Sequence, residues 1–266
     1  MITTYLLYIV LGAFAGVLAG LLGIGGGLVI VPMLNIAFEL QNFPDVHIQH
    51  VALGTSLATI IFTSLSSMRA HHKRGAINYT AFWRLVPGII VGTYLGAWVA
   101  ALLPTGFLKA FFGFFLYYVA SQMLLGMKPK SARELPGQAG TFAVGNGIGI
   151  FSALVGIGGG TLTVPFLSWC NQTMHTAIAT AAAVGLPIAL SGTTGFIING
   201  WNVEGIPGPH FGYIYIPAFL GIISMSVLTA PLGAKLAHSL PVDKLKRIFA
   251  ILLLIVGTKM LWSAFM

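Results

Sequence analysis

Leu22-Gly23-Ile24-Gly25-Gly26-Gly27 is a glycine-rich stretch that occurs a second time as Val155-Gly156-Ile157-Gly158-Gly159-Gly160. The second copy starts 133 residues after the first (155 − 22 = 133), which is half of the 266-residue chain. An apolar stretch follows each copy and carries a proline at the same offset, Pro32 in the first and Pro165 in the second. A Leu-Gly-Ala triplet also recurs later in each half. This self-similarity predicts an internal duplication.

The composition indicates a membrane protein. Charged residues make up 7% of the chain and apolar residues 57%, and the mean hydropathy is +0.92. A water-soluble domain of this length needs far more charge on its surface. Because lipid offers the backbone no hydrogen-bond partners, only helices or closed barrels cross a bilayer. The long apolar runs indicate helices, since a barrel would show short strands with alternating polar and apolar residues.

Each half divides into five apolar segments. In the first half they are 4–22, 28–40, 50–68, 78–103 and 106–126, and in the second half they are 138–155, 161–170, 175–199, 212–238 and 243–265. A complete span needs roughly 20 residues, so the short segment after each glycine-rich stretch predicts a half-helix or re-entrant piece. The predicted fold is an all-α polytopic membrane protein with two repeats, 1–133 and 134–266. Each repeat comprises a glycine-rich broken or re-entrant helix hairpin (4–40 or 138–170) and three transmembrane helices.

The positions of the basic residues predict the orientation of the segments. Loops rich in Lys and Arg face the cytoplasm, and three such groups occur: Arg69, Lys73, Arg74 and Arg84; Lys128, Lys130 and Arg133; Lys235, Lys244, Lys246 and Arg247. The loops 41–49 and 200–211 contain neither Lys nor Arg and are predicted to face outside. Lys109 is then the one basic residue in a predicted outer loop. With this assignment the span 50–68 runs inward and 175–199 runs outward, so the two repeats are predicted to be inverted.

The glycine-rich stretches are the predicted anion site. Inverted repeats with interrupted helices are a recurrent transporter plan, with the site near the membrane midplane. Glycine permits a chain reversal there, and the free N–H groups and dipole at a helix start attract anions. The predicted substrate-binding residues are Gly25, Gly26, Gly27, Gly158, Gly159, Gly160 and Thr161. The alternative is that these glycines serve close helix packing, which is the interpretation for Gly12, Gly16, Gly20, Gly92 and Gly96.

Four hydroxyl side chains within apolar segments are candidates for lining the anion path. Thr55 and Ser56 lie in the third segment of the first half, and Ser191 and Thr194 lie in its counterpart in the second half. The alternative is that each hydroxyl bonds to its own helix or to a neighbouring helix.

Titratable groups give little sign of a coupling mechanism. No Asp or Glu lies deep in an apolar segment, so the sequence predicts no buried carboxylate proton relay. His47, His50 and His175 lie near segment ends. Because histidine changes its charge near physiological pH, coupling of transport to protons stays open as an alternative.

Other functional classes have weaker support. An intramembrane enzyme needs a nucleophile and a base, and Cys170 with His175 is the single pair worth naming, without a third member. The glycine motif lacks the Lys-Ser/Thr ending of a nucleotide loop, and we expect no cofactor or metal. The formal charge of +8 lies in loops between apolar segments, so it predicts topology in a lipid bilayer rather than nucleic-acid binding. A passive anion channel and a non-transporting scaffold remain open, and the glycine-rich faces permit a homodimer.

Several of these landmarks resemble the TauE/SafE sulfite exporter family. They are the paired Gly-Ile-Gly-Gly-Gly motifs with the proline that follows each, the stretch Gly54-Thr55-Ser56-Leu57, and the basic loop that ends with Arg74-Gly75. The last is the Gly-Ala dipeptide that precedes a proline in each half. The resemblance covers nearly the whole chain and implies a multi-pass permease of the bacterial inner membrane. The implied substrate is sulfite, a sulfonate or a related sulfur-containing or organic anion, usually moved outward. The second half departs from the pattern with Gly185-Leu186-Pro187-Ile188, which predicts an asymmetric path and a break or kink in that helix.

Overall fold

The structure, a computed structural model, describes residues 2–22, 26–125, 133–239 and 242–265. Its helices are α1 (Ile2–Leu22), α2 (Gly27–Leu40), α3 (Ile48–Lys73), α4 (Tyr79–Leu102), α5 (Thr105–Leu125), α6 (Gln138–Val155), α7 (Gly160–Trp169), α8 (Met174–Asn199), α9 (Ile216–Ser239) and α10 (Val242–Phe265). Two short antiparallel strands, β1 (His210–Phe211) and β2 (Ile214–Tyr215), lie between α8 and α9. The described chain is therefore helical with almost no sheet, and the prediction of an all-α protein is confirmed.

The exterior of this helical assembly is apolar. Six helices in the described part are long and apolar enough to cross a membrane: α3, α4, α5, α6, α8 and residues 247–265 of α10. Large apolar side chains such as Trp83, Trp98 and Phe114 are at least half exposed on these helices. Such a surface is stable in lipid rather than in water, so the chain is a multi-pass membrane protein.

Each glycine-rich stretch separates two helices. In the second half, Gly156 ends α6 and Gly159 precedes α7, both with left-handed backbone (φ 69° and 73°) that glycine adopts without strain. In the first half, Gly26 precedes α2 with nearly the same conformation (φ 74°). The helix that follows is short in both halves, and α7 has only 10 residues. The broken helix pair is thus present, whereas its re-entrant path through the membrane stays a prediction.

The main helix packing joins the first half of the chain to the second. The most extensive pairs are α1 with α9, α4 with α6, α5 with α10, and α3 with α8. If α1 to α5 are matched in order with α6 to α10, the pair α1–α9 becomes α6–α4, and the other two pairs map onto themselves. This is the packing expected of a duplicated chain with two-fold pseudo-symmetry, while the inversion of the halves across the membrane stays a prediction.

Glycines bring the paired helices close together. A Cβ atom on Gly12 would lie 2.7 Å from the Ile222 carbonyl oxygen of α9, and one on Gly96 would lie 2.7 Å from the Ile150 carbonyl oxygen of α6. Gly16 and Gly92 make similar close approaches to the same two partner helices. The predicted packing role of these four glycines is confirmed, and the surroundings of Gly20 lie outside the described residues.

Two features of the second half differ from the sequence-based predictions. The apolar stretch predicted as a span from 212 begins with the β-hairpin, and α9 starts only at Ile216. Of the predicted break or kink at Leu186-Pro187, the break is wrong, since α8 is continuous from Met174 to Asn199. A proline removes one helix hydrogen bond, but α8 packs against α3, α4 and α7, and this packing stabilises the helix.

Candidate functional site

The two glycine-rich stretches meet in space. A Cβ atom on Gly27 would lie 2.7 Å from the Gly156 carbonyl oxygen and 2.9 Å from the Ile157 Cα. Ile60 of α3 reaches both stretches, with its Cδ1 3.1 Å from the Cβ position at Gly27 and its Cγ2 3.2 Å from that at Gly158. The start of α2 and the loop before α7 therefore flank the same side chain. Gly25 lies outside the described residues.

The N-terminus of α7 carries free hydrogen-bond donors. The N–H groups of Leu162 and Thr163 donate to the Gly159 carbonyl oxygen, and no side chain in the described part of the chain caps this helix. The N–H groups of Gly160 and Thr161 have no acceptor among the described residues. The start of α2 has the same pattern, because Val29 and Ile30 donate to the Gly26 carbonyl oxygen. Both helix starts thus present donors together with the positive end of the helix dipole.

Hydroxyl groups without partners surround the start of α7. Ser152 Oγ lies 3.3 Å from the position that a Cβ atom would take on Gly159. Ser152, Thr161 and Thr163 are buried, and none of their hydroxyls has a hydrogen-bond partner within the described residues. Leaving such a group unpaired costs about 1–3 kcal/mol. The hydrogen-bonding capacity of the Ser152 and Thr161 hydroxyls is therefore unused within the described residues, and Thr163, two positions along α7 from Thr161, points to another side of the helix.

Sequence reasoning missed Ser152, which lies in the last turn of α6, four residues before Gly156. Ser64 is one of the polar residues that the sequence places within the third apolar segment of the first half. Ser64 faces the same loop from α3, since its Oγ lies 2.7 Å from the Cβ position at Gly185 and 4.0 Å from that at Gly158. The signal that identifies Ser152 is its spacing from the glycine stretch, one helical turn away.

Thr55 and Ser56 are buried, as lining residues would be, but the structure gives them bonding partners within the protein. The Thr55 Oγ1 accepts a hydrogen bond from the Tyr215 N–H at 3.0 Å and so holds strand β2 against α3. The Ser56 Oγ donates to the Gly156 carbonyl oxygen at 2.8 Å. Ser56 therefore belongs to the glycine junction, whereas Thr55 holds the hairpin.

Ser191 and Thr194 lie apart from this junction. They line an open groove of about 580 Å³ between α4 and α8, whose other walls are apolar: Ile90, Val91, Tyr94, Leu95, Pro187 and Leu190. The Ser191 Oγ donates to the Ile90 carbonyl oxygen at 3.3 Å, and the Thr194 Oγ1 donates to the Leu190 carbonyl oxygen at 2.8 Å. The structure does not bring these two residues together with the glycine stretches, and their hydroxyls bond to helix backbone.

The described side chains nearest to the second glycine stretch are uncharged. The atoms nearest to the Cβ positions of Gly156, Gly158 and Gly159 belong to Leu, Val, Ile, Ser and glycine residues. Within the described residues, no group of three His, Cys, Asp or Glu side chains is placed to hold a metal ion. The polar groups that the described residues place beside this stretch are therefore backbone groups and hydroxyls.

The remaining candidates occupy other places. Cys170 is buried at the end of α7, whereas His175 is exposed in the first turn of α8. His50 is buried beside the end of α4, with its Nε2 2.9 Å from the Ala100 carbonyl oxygen and 3.1 Å from that of Leu103. His47 and His50 both lie against the ring of Tyr213. These histidines therefore pack at helix ends rather than at the glycine junction.

Comparison with known proteins agrees with this description. The family model described as "Sulfite exporter TauE/SafE" matches residues 8–260. A probable membrane transporter protein of Haemophilus influenzae is 38% identical over 265 residues, which cover 98% of this chain and 99% of the relative. The probable membrane transporter protein YunE of Bacillus subtilis is 28% identical, with 98% of each chain covered, and MJ0441 of Methanocaldococcus jannaschii is 27% identical, with 96% of this chain and 94% of the relative covered. No solved structure matches the chain.

These relatives are named as membrane transporters, which points away from an enzyme. The family model covers nearly the whole chain, and the relatives align over nearly their full length. The broken, glycine-rich helix pairs and the apolar exterior fit the same interpretation. The chain is a membrane transporter that belongs to the sulfite exporter TauE/SafE family.

Proposed function

We propose that this protein is a secondary transporter of a small anion, namely sulfite, a sulfonate or a related sulfur-containing or organic anion. The printed description of the family names a sulfite exporter, which supports a sulfur oxyanion as the substrate class. The printed names of relatives from two bacteria, both probable membrane transporter proteins, support a place in a bacterial membrane, which we propose to be the inner membrane. In this proposal the two halves are inverted repeats that rock against each other around the junction of the glycine stretches.

One observation carries the proposal. The N-terminus of α7 has two N–H groups without acceptors in the described chain, and the buried Ser152 hydroxyl beside it also lacks a partner. Donors without acceptors in a low-dielectric interior favour a bound anion, because the ligand removes the cost of each unpaired group. Cations, in contrast, need oxygen acceptors or carboxylates, and this junction offers mainly donors.

The absence of charge among the nearest side chains suits transport. An anion held by N–H and hydroxyl groups is stabilised by several moderate bonds, and none of them is a full ion pair buried in the membrane. Removing one partner of a buried ion pair costs about 3–5 kcal/mol, which would slow release. Because the start of α2 belongs to one half and the start of α7 to the other, rocking the halves would change the donors available to the anion.

The test is uptake of radiolabelled sulfite into proteoliposomes by the variants Ser152→Ala and Thr161→Val. Each variant removes one hydroxyl, and a hydrogen bond to a charged group contributes about 1.5–3 kcal/mol. Since 1.4 kcal/mol is a factor of ten, we expect the half-saturating sulfite concentration to rise by about 10- to 100-fold. Thr194→Val is the matched control, because it removes an exposed hydroxyl from the groove between α4 and α8.

The same variants separate ligand binding from packing. Removing an unpaired buried hydroxyl is nearly neutral or stabilising for the protein without a ligand, so Ser152→Ala should unfold at the same or a higher temperature than the parent chain. Weaker sulfite uptake together with unchanged stability supports the proposal. Uptake equal to that of Thr194→Val would contradict it, and sulfite flux that never saturates would indicate a channel.

A further inference from the structure

Isoleucine side chains from three helices lie against the second glycine stretch. Ile188 of α8 reaches the position that a Cβ atom would take on Gly159 with its Cδ1, and Ile148 of α6 lies 3.6 Å from the same position. Ile60 of α3 lies against Gly158 in the same way, with its Cγ2 at 3.2 Å from the Cβ position there. Ile60 and Ile188 have no exposed surface. The space around this stretch is therefore limited by buried methyl groups.

The terminal methyl group of Ile188 lies beside the hydroxyl of Ser152. The Ser152 Oγ is 3.3 Å from the same Cβ position at Gly159, and α7 begins at the next residue. Ser152 is fully buried, and its hydroxyl has no partner in the described part of the chain. An anion that bonds to this hydroxyl and to the N–H groups at the start of α7 therefore has the Ile188 methyl group as its neighbour.

The remaining close contacts around the stretch are made by backbone atoms. A Cβ atom on Gly185 of α8 would lie 3.2 Å from the Gly158 carbonyl oxygen, and one on Gly27 would lie 2.7 Å from that of Gly156. Backbone atoms in packed helices move only when the helices move, whereas the Ile188 Cδ1 moves by rotation about one side-chain bond. Ile188 is thus the neighbour of Gly159 whose shape can decide which anion fits.

The hydroxyls and the methyl groups come from different sides. At the offset of 133 residues, the hydroxyl residues of the second half correspond to residues without a hydroxyl in the first half: Ser152 to Ala19, Thr161 to Leu28 and Thr163 to Ile30. The first half contributes Ile60 instead. An anion at this place is consequently offered donors by α6 and α7 and methyl groups by α3 and α8.

On the basis of the anion site proposed above, we propose that Ile188, together with Ile60, selects the shape of the anion and makes sulfite the substrate. Sulfite is a pyramid with three oxygens on one side of the sulfur atom and only a lone pair of electrons at the fourth corner. A sulfonate has carbon at that corner, and sulfate has a fourth oxygen. With the three oxygens bonded to the donors, the fourth corner faces the isoleucines, where a carbon atom lacks space and an oxygen lacks a hydrogen-bond donor.

The test is binding of sulfite, methanesulfonate and sulfate to the purified full chain in a neutral detergent. A ligand that binds the folded chain raises its unfolding temperature, which tryptophan fluorescence reports. One additional methyl group in a closely fitting apolar pocket weakens binding about 10- to 200-fold. We therefore expect sulfite to act at a concentration at least about tenfold lower than methanesulfonate, and sulfate to be the weaker ligand as well.

Two variants of Ile188 change this preference in different directions. Ile188→Val removes the methyl group beside Gly159, so methanesulfonate should bind at least about tenfold more tightly than to the parent chain. Ile188→Thr has the shape of valine with a hydroxyl in place of one methyl group, so it should improve sulfate binding more than Ile188→Val does. Ile198→Val makes the same change at an exposed position of α8 and should keep the preference of the parent chain. The unfolding temperature without ligand shows that each variant is folded.

Ser152→Ala separates the two sides of the anion. It removes a donor for the oxygens, so it should weaken sulfite and methanesulfonate by similar factors and leave their ratio unchanged. Equal binding of the three anions by the parent chain, or the parent's preference in Ile188→Val, would overturn the role of Ile188 even if sulfite uptake into proteoliposomes is saturable. Binding with the expected preference but without uptake would contradict the proposed transport and leave the selection by shape in place.

Discussion

Gly27 and Gly147 are both helical glycines, but their surroundings differ. A Cβ atom on Gly27 would lie 2.7 Å from the carbonyl oxygen of Gly156, which is part of the other glycine stretch. A Cβ atom on Gly147 in α6 would meet no atom of the described residues within 4 Å. In an open position, alanine stabilises a helix by about 0.5–1 kcal/mol relative to glycine.

We therefore expect Gly147→Ala to raise the unfolding temperature and Gly27→Ala to lower it. The single cysteine of the chain, Cys170, is buried, so its reaction with a fluorescent maleimide on heating reports unfolding. If Gly27→Ala were as stable as Gly147→Ala, the close contact between the two glycine stretches would not exist.

His47 predicts a dependence of stability on pH. Burial lowers the pKa of its imidazole below the ordinary value because the charged form loses hydration. For a base whose folded pKa is lowered, the unfolded state binds more protons between the two pKa values. Stability is then complete above the ordinary value of about 6.5 and decreases as the pH falls toward the folded value. His47→Gln should flatten this decrease in unfolding temperature, and His175→Gln, at an exposed position, should not.

At the scale of the elements, the bounds of most helices follow from local information. The apolar runs and glycine breaks predict α6 as 138–155, and the structure has it there. The β-hairpin was missed because Phe211 to Ile216 is apolar, and its sequence does not differ from the first turn of a span. Ser191 and Thr194 were assigned to the path because a helix that is apolar all round gives no signal for its inward face. The ion pair between Glu39 and Lys109 joins residues 70 positions apart, and no local pattern contains such a contact.

A hydrogen bond to the side chain of Thr55 joins the β-hairpin to α3. Thr55→Val leaves the buried Tyr215 N–H without its acceptor, and an unpaired buried donor costs about 1–3 kcal/mol. We expect this variant to unfold at a lower temperature in the Cys170 assay. Thr194→Val makes the same chemical change at an exposed position, and a similar loss of stability in that variant would contradict the role given to Thr55.

At the scale of the whole molecule, the main helix pairs each join a helix of the first half to a helix of the second half. Helices α1 and α6, which precede the glycine stretches, each pack against a helix of the other half, α9 and α4. The duplication was visible in the sequence because the glycine motif and its proline recur at one offset. The pairing of helices was not visible, since small residues allow close contact without specifying the partner.

This packing between the two halves has a consequence for biosynthesis. When the ribosome has completed α5, most of the helices made so far still lack their main partners, because these belong to α6–α10. Stable tertiary structure must then wait for the rest of the chain, and each half depends on the other for folding. We expect residues 1–133, produced alone, to be degraded, and to accumulate when residues 134–266 are made in the same cell as a separate chain. Co-purification of the two fragments would show this dependence, and a first half that is stable by itself would refute it.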